Sequence, residues 1–563
     1  MMLHNKRFLS AFVFIALFAL PVYAQPVTKQ LAPGVTLMQE IDTNPSAPLV
    51  VNTVVVDLAH TEVNIKAAIG QDVVYSDDPT KGRETVSKLT SRRGALLGIN
   101  ADFFPFTGDP LGICIIDGEI ISEAPGNRAA LAVTENRSVF FDTPSATMIL
   151  TTAGGHSRAI DGINRICEPG QIVIYTEAFG ASTRGQCRAM DVVCASTDLP
   201  VQAGKTIKLT ITDLKENGLD TPIPKGGVVL SGEGIAAAFL KDNVRLGDTL
   251  TVRFDVRSPR GRDWSQVRQA VGGGPWLVRD GKEWIDDIAE KFPADFASTR
   301  HPRTAAGVTT DNKLLFVTVD GRQTISRGIS LSNLAALMIR LGAVNAINLD
   351  GGGSTTLSAK GIILNSPSGG EERPVANALL VFAPSQIFEI PALTISGAPA
   401  EAVSGRGLPL RLTCAEDAKS PTEDQLKNVI WGTTKGIGFV NQSGYFTPLK
   451  AGKGALNALI GSQIVTFEIS VVPGPPTKAT AELIADKQNS LVCAFKATAL
   501  DANGNLVPAK EVLLNVTGGK AELESGVTDA KGEFTTNITW DQGATDRRAA
   551  VIIGDGNAEA RLK

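Results

Sequence analysis

Histidine and cysteine are scarce in this 563-residue chain, with 4 and 6 copies. His4 falls in a leader-like start, which leaves His60, His156 and His301, too few for a histidine-rich metal centre. No two cysteines stand in CxxC spacing, so a zinc site is not expected. Cys167, Cys187 and Cys194 lie close together, and one pair among them is a candidate disulfide. Cys114 sits in an apolar run and reads as a buried thiol. Aromatics make up only 6% of the chain. A surplus of positive charge is also missing: 54 Lys and Arg face 58 Asp and Glu, for a net charge of −4. Such a chain has nothing in reserve to neutralise a phosphate backbone, so nucleic acid is not expected as a partner. The Walker loop, the dinucleotide fingerprint and the Gly-x-Ser-x-Gly elbow are all absent.

Long hydrophobic runs are missing too, with one exception. Phe8 to Leu20 is apolar, but a bilayer span needs about 20 residues. Lys6 and Arg7 precede it, and Pro21 and the small Ala24 follow. This is the pattern of a secretory signal over residues 1–24, cleaved after Ala24. The mature chain is expected to be exported (periplasmic, surface-attached or secreted), with no integral membrane segment.

What the chain has in quantity is turn formers, 56 Gly and 30 Pro, set between short β-branched runs. Leu49–Val56, Ala95–Ile99, Gly112–Ile116, Leu314–Val319 and Val344–Leu349 all read as strands. One amphipathic helix stands out, because Leu331, Leu334, Ala335, Met338 and Leu341 share a face. Ser330 or Ser332 can cap its start and Gly342 can end it. The fold class expected is multidomain: an α+β catalytic domain rich in strand over 25–387, followed by two all-β immunoglobulin-like sandwiches over 388–473 and 474–563. The second boundary rests on the stiff Val472-Pro473-Gly474-Pro475-Pro476 linker. Asp501-Ala502-Asn503-Gly504-Asn505 reads as a turn within the last module.

Polar clusters that carry chemistry concentrate before residue 388. Strand Val344–Leu349 delivers Asp350 to its end, followed by Gly351, Gly352 and Gly353 and by the hydroxyls of Ser354, Thr355 and Thr356. An acid beside a glycine-rich loop suits a sugar bearing a phosphate, because glycine N–H groups can approach an anion closely. Asn100 and Asp102 flank one residue and point to one side of an extended chain. Phe103, Phe104 and Phe106 form an apolar wall beside them. Arg300 and Arg303 bracket Pro302, Asp320 and Arg322 follow a strand, and Arg373 precedes another. Arginine's planar fork fits phosphate. Gly272-Gly273-Gly274-Pro275-Trp276 leads into a strand and reads as a second loop of the same cleft.

In this order, these segments resemble the phosphodiester glycosidase family over roughly residues 30–385. The residues that carry the resemblance are Asn100 to Phe104, Gly272 to Val278, Arg303 to Gly307, Val319 to Arg322, Gly342 to Thr356 and Arg373 to Asn377. The segments Gly444 to Thr447 and Ala497 to Pro508 resemble bacterial immunoglobulin-like domains, the latter of the invasin/intimin type. The resemblance implies hydrolysis of a sugar-1-phosphodiester at the glycosidic bond, in envelope or extracellular polysaccharide. Asp350 is then nucleophile or general base. Arg303 and Arg373 hold the phosphate with the N–H groups of Gly351–Gly353, while Asp320, Arg322, Ser354 and Thr355 line the substrate. Asn100 binds sugar hydroxyls, and Asp102 does the same or is the second carboxylate. No cofactor is required; Ca²⁺ held by Asp102, Asp320 or Asp350 is an open option. A glycan-binding protein without turnover and a phosphodiesterase cutting P–O are the other readings, and attachment to the cell surface would run through the C-terminal modules.

Overall fold

The computed structural model describes residues 26–105, 107–185, 189–384, 390, 393–414, 421–485 and 491–562. The expected signal segment, Phe106 and Cys187 lie outside these residues. No helix among those described is long and apolar enough to cross a membrane.

Two large sheets form the frame of the first part. In one, strand Ala343–Leu349 lies between Arg303–Thr309 and Trp276–Arg279, and Lys313–Val319 and Leu49–Asp57 continue outward. In the other, Leu97–Asn100 lies between Leu357–Ala359 and Asn377–Phe382. Leu37, Val54, Leu97, Ile99, Phe316, Ile347, Leu349 and Leu379 interlock between them as one core. Strands buried on both faces read as continuous apolar runs, which is why Leu49–Val56 and Val344–Leu349 carry almost no alternation. Helix Leu331–Arg340 covers the outer face of the first sheet, with Leu331, Leu334, Ala335 and Met338 packed on Leu315 and Val317. Ser330 caps it, accepting from Asn333 N–H, and Gly342 at φ +93° follows its end, as the sequence predicted. Helix Val86–Arg92, which the sequence reading missed, covers the outer face of the second sheet through Val86 and Leu89. The resulting order of layers is helix, sheet, sheet, helix.

Residues 113–272 depart from that frame. They form an eight-stranded and a five-stranded sheet around a second core that includes Ile115, Leu150, Val192, Leu230 and Trp264. Cys167 and Cys194 are free thiols here and Cys114 is buried, so the candidate disulfide is not formed between the described members of the trio.

Among the described residues of the C-terminal third, Glu423–Lys427 is the one helix and the other regular elements are strands. Residues 478–561 build two four-stranded sheets facing one another across Phe495, Val512, Phe534, Ile538, Trp540 and Val551. The preceding stretch is no separate bead. Strand Ile430–Thr433 pairs with Ile362–Ile363, which joins it to the second large sheet. Ile430 and Leu459 enter the core between the two large sheets. Gln442 N–H donates to Gln39 Oε1 at 2.8 Å.

Candidate active site

The two large sheets meet at Asp350. Its backbone N–H donates to Ala101 O at 2.8 Å, and its own carbonyl accepts from Asn100 Nδ2 at 2.6 Å. Asn100 Oδ1 accepts from Thr304 Oγ1 and from Thr356 N–H, at 2.8 and 3.0 Å. Asn100 is fully buried, and every polar atom of its side chain is engaged by the protein. It ties the ends of three strands together and does not face a sugar, contrary to the sequence expectation. Asn100 and Asp102 also diverge. The strand stops at Asn100, the chain turns, and their side chains reach different partners.

Asp350 itself is half-buried. Its carboxylate accepts from Gly351 N–H at 2.8 Å and from the Ser354 side chain. Burial pushes its carboxyl up to about 6, opposed by the Ser354 bond, the Arg373 charge and the Gly351 N–H. Arg373 lies over Gly353, where an added Cβ would stand 2.5 Å from Nη2, so glycine is required for the guanidinium to sit there. Arg373 Nη1 reaches Ser354 Oγ at 3.4 Å. Arg322 lies on the other side of the loop, with its Nη1 3.4 Å from where a Gly352 Cβ would be. Its Nη2 is 3.0 Å from His301 Nδ1. Burial and the Arg322 and Arg303 charges hold the His301 imidazole below its ordinary value.

The glycine loop is less open to an anion than its sequence implies. Gly351 N–H is engaged by Asp350 and Gly352 N–H by Pro302 O at 2.9 Å. Cationic side chains around the loop therefore carry the positive potential. Ser354 and Thr355 are buried beneath it, and Thr355 Oγ1 has no partner among the described residues.

Asp102 is 1% exposed. Its carboxylate accepts from Phe103 N–H at 2.8 Å and from Gly112 N–H at 2.7 Å. Gly272 makes room for it, since a Cβ there would fall 2.4 Å from Asp102 Oδ2. The Gly272–Gly274 loop thus belongs to this site, as expected. Burial pushes the Asp102 carboxyl up to about 7; the Gly112 N–H and the Arg128 charge pull it down, and the Asp350 charge adds to the rise. Asp102 and Asp350 therefore feel one another across the turn.

Arg303 and Asp320 take roles other than those expected. Arg303 is 1% exposed, its Nη2 donates to Phe296 O and Thr299 O at 2.6 and 3.1 Å, and it lies over the Phe296 ring. It braces the segment carrying Phe292 and Phe296 and does not reach a phosphate. Asp320 is fully buried and accepts from Asn365 Nδ2 and Ser366 N–H, at 2.9 and 3.0 Å. With the oxygens of Asp102 and Asp320 engaged in this way, the two acids and Asp350 do not converge on a cation. Among the described residues no group of three His, Cys, Asp or Glu is placed to hold a metal ion. The expected phenylalanine wall is divided: Phe103 packs on Phe292 and Phe296, whereas Phe104 packs with helix Val86–Arg92.

Two residues escaped the sequence reading. Arg128 stacks on Phe103 and Phe292, 5.3 and 4.5 Å from the ring centroids, and its buried Nη1 has no hydrogen-bond partner among the described residues. Its charge acts on both Asp102 and Glu290. Glu290 is buried, accepts from Trp276 N–H and Ala129 N–H, and is pushed up to about 7 by burial. Neither has a local signal, since Arg128 follows an ordinary Gly126-Asn127 turn and Glu290 stands in a charged stretch.

Comparison with known proteins places this site in context. The uncharacterized SPbeta prophage-derived protein YomE of Bacillus subtilis is 36% identical over 129 residues, covering 22% of this chain and 20% of that protein. The N-acetylglucosamine-1-phosphodiester alpha-N-acetylglucosaminidase of Bos taurus is 37% identical over 156 residues, 25% of this chain and 29% of that enzyme. The chain therefore spans less than a third of the length of either relative. A hypothetical protein from Synechocystis has a similar fold, with a TM-score of 0.53, 24% identity and 64% of each chain covered. Residues 203–382, which include Gly272–Gly274, Arg322, the Asp350 loop and Arg373, match the family described as Phosphodiester glycosidase, so that stretch of the chain is a domain of this family.

Proposed function

We propose that the chain is an exported hydrolase that cleaves the glycosidic bond of sugar-1-phosphodiesters, with Asp350 as the attacking or water-activating carboxylate. One observation carries this reading: the half-buried Asp350, whose carboxylate feels the Arg373 charge, stands at a glycine loop that the Arg322 guanidinium also approaches at Gly352. A phosphate monoester leaves readily, so cations that stabilise its charge matter more than an acid that protonates it. One half-buried acid, Asp350, is enough for such a substrate, and this agrees with the burial of Asp102. Asp102 is then a buried neighbour whose own carboxyl is raised in part by the Asp350 charge. The aromatic segment Phe292–Phe296 gives the sugar an apolar wall. Export rests on the residue 1–24 pattern. The C-terminal modules are proposed as immunoglobulin-like, the second of the invasin type.

The test uses α-GlcNAc-1-phospho-methyl-mannoside with the wild type and Asp350→Asn. Free GlcNAc plus phosphomannoside, formed by the wild type alone, is the expected result. Release of GlcNAc-1-phosphate would show cleavage at P–O, and full activity in Asp350→Asn would overturn the assignment.

A further inference from the structure

The turn Asp501-Ala502-Asn503-Gly504-Asn505 does more than reverse the chain. Asn505 Nδ2 donates to Ser404 Oγ and Leu449 O at 2.9 and 2.7 Å, and Asn505 Oδ1 accepts from Ala451 N–H at 2.8 Å. Thr324 Oγ1, next to the active-site loop, donates to Asn503 Oδ1 at 2.8 Å. Asp501, Ser404 and Asn505 are buried. One turn therefore locks the last module onto both the preceding module and the catalytic region.

A cavity of about 400 Å³ opens beside this lock. It is lined by Arg322, Arg327, Lys450 and Lys478, together with residues of 366–370 and 502–505, and among the described residues by no carboxylate. The basic groups come from three parts of the chain that meet only in the folded protein. Lys450 Nζ lies 3.3 Å from Gly369 O and Lys478 Nζ 3.2 Å from Ala502 O, so these ammonium groups meet carbonyls, and among the described residues neither has an ion-pair partner. The net charge of the protein is −4, so four cations facing one cavity run against its overall sign. A cleft lined by one sign of charge concentrates counter-ions. Arg322 belongs to both places, lining the cavity and flanking Gly352 of the Asp350 loop.

We propose that this cavity is a second anion site that holds a further phosphate of the substrate chain, on the leaving-group side of the cleaved bond. The preferred substrate is then a polymer with repeating phosphodiesters, rather than a single glycosyl phosphate. The direction of the chain rests on the reading of Asp350, Arg322 and Arg373 given above; the anion site itself does not.

The test measures binding of a fluorescent poly(glycerol phosphate) oligomer to the full chain. Lys450→Glu/Lys478→Glu is compared with Lys205→Glu/Lys208→Glu, which changes net charge equally at exposed lysines elsewhere. The first pair is expected to weaken binding about tenfold, the second to leave it close to wild type, and added salt to narrow the difference. Unfolding midpoints establish that both variants are folded. Equal affinity for wild type and Lys450→Glu/Lys478→Glu overturns the proposal, as does an equal loss in the control pair. Oligomer binding that depends on Lys450 and Lys478, in a protein that does not hydrolyse α-GlcNAc-1-phospho-methyl-mannoside, upholds the anion site and counts against the glycosidase reading instead.

Discussion

Asn100 and Asp350, 250 positions apart, are joined by a 2.6 Å hydrogen bond from the Asn100 side chain to the Asp350 carbonyl. The bond fixes where the Asp350 loop leaves its strand. Asn100 also accepts from the Thr356 backbone at the far end of that loop, so one buried amide spans both of its ends.

Replacing Asn100 by Ala should therefore act on structure first. One acceptor and two donors lose their partner in a buried setting, which costs about 2–4 kcal/mol. Urea unfolding should show that loss, and kcat should fall with it because Asp350 is no longer held.

Arg373 is itself exposed, and Arg373→Ala removes its guanidinium together with one long contact, 3.4 Å to Ser354 Oγ. kcat/KM is expected to fall about tenfold to a hundredfold with little change in unfolding midpoint. Arg373→Lys should recover part of the loss, since it restores the charge but not the fork.

The paired acids predict a pH profile. Asp350 loses its proton at about 6 and Asp102 at about 7. Activity should rise as Asp350 ionises, and decline as Asp102 ionises and adds a second negative charge against the leaving phosphate. Asp102→Asn should lose the alkaline decline and keep the acid limb. Arg128→Gln should move the decline to higher pH, because the Arg128 charge lowers the Asp102 value. Rate measurements from pH 4.5 to 8.5 check all three.

Stability should run the other way with pH. Asp320 and Glu290 are both pushed up to about 7 by burial, from ordinary values of 3.8 and 4.5. Below about pH 4 both states hold the proton and the folded state keeps its full advantage. Between there and pH 7 the unfolded chain releases protons more readily, so stability falls as pH rises. The urea midpoint should be higher at pH 5 than at pH 8. Asp320→Asn, which cannot ionise, should flatten that dependence.

The strand pairing that joins residues 430–433 to the second large sheet has its own consequence. Ile430→Ala opens a cavity in the core shared with Leu96, Ile362 and Leu459 and should cost about 2–4 kcal/mol. Catalytic activity should be lost in the same thermal transition as Trp431 fluorescence changes, although Ile430 lies far along the chain from Asp350.

The order of residues was enough to locate much of this. The apolar run Val344–Leu349, the glycines after Asp350 and the spacing of Leu331 to Leu341 are local signals, and the strand, loop and helix formed where those signals stood. The acid at a strand end and the arginine before the next strand were readable for the same reason: short-range chemistry is written in adjacent letters. What each polar residue does was decided elsewhere. Asn100, Arg303 and Asp320 carry the same side chains as true ligand-binding residues, and only the strands and loops packed around them engage those groups with protein partners. Arg128 and Glu290 join the site through a turn and a loop with no pattern of their own. The lock between Asn505, Ser404 and Thr324 joins three distant segments, and the basic cavity exists only because of it. Contacts of that range are set by how whole sheets pack, since burial and desolvation are properties of the assembled core and not of any stretch of sequence.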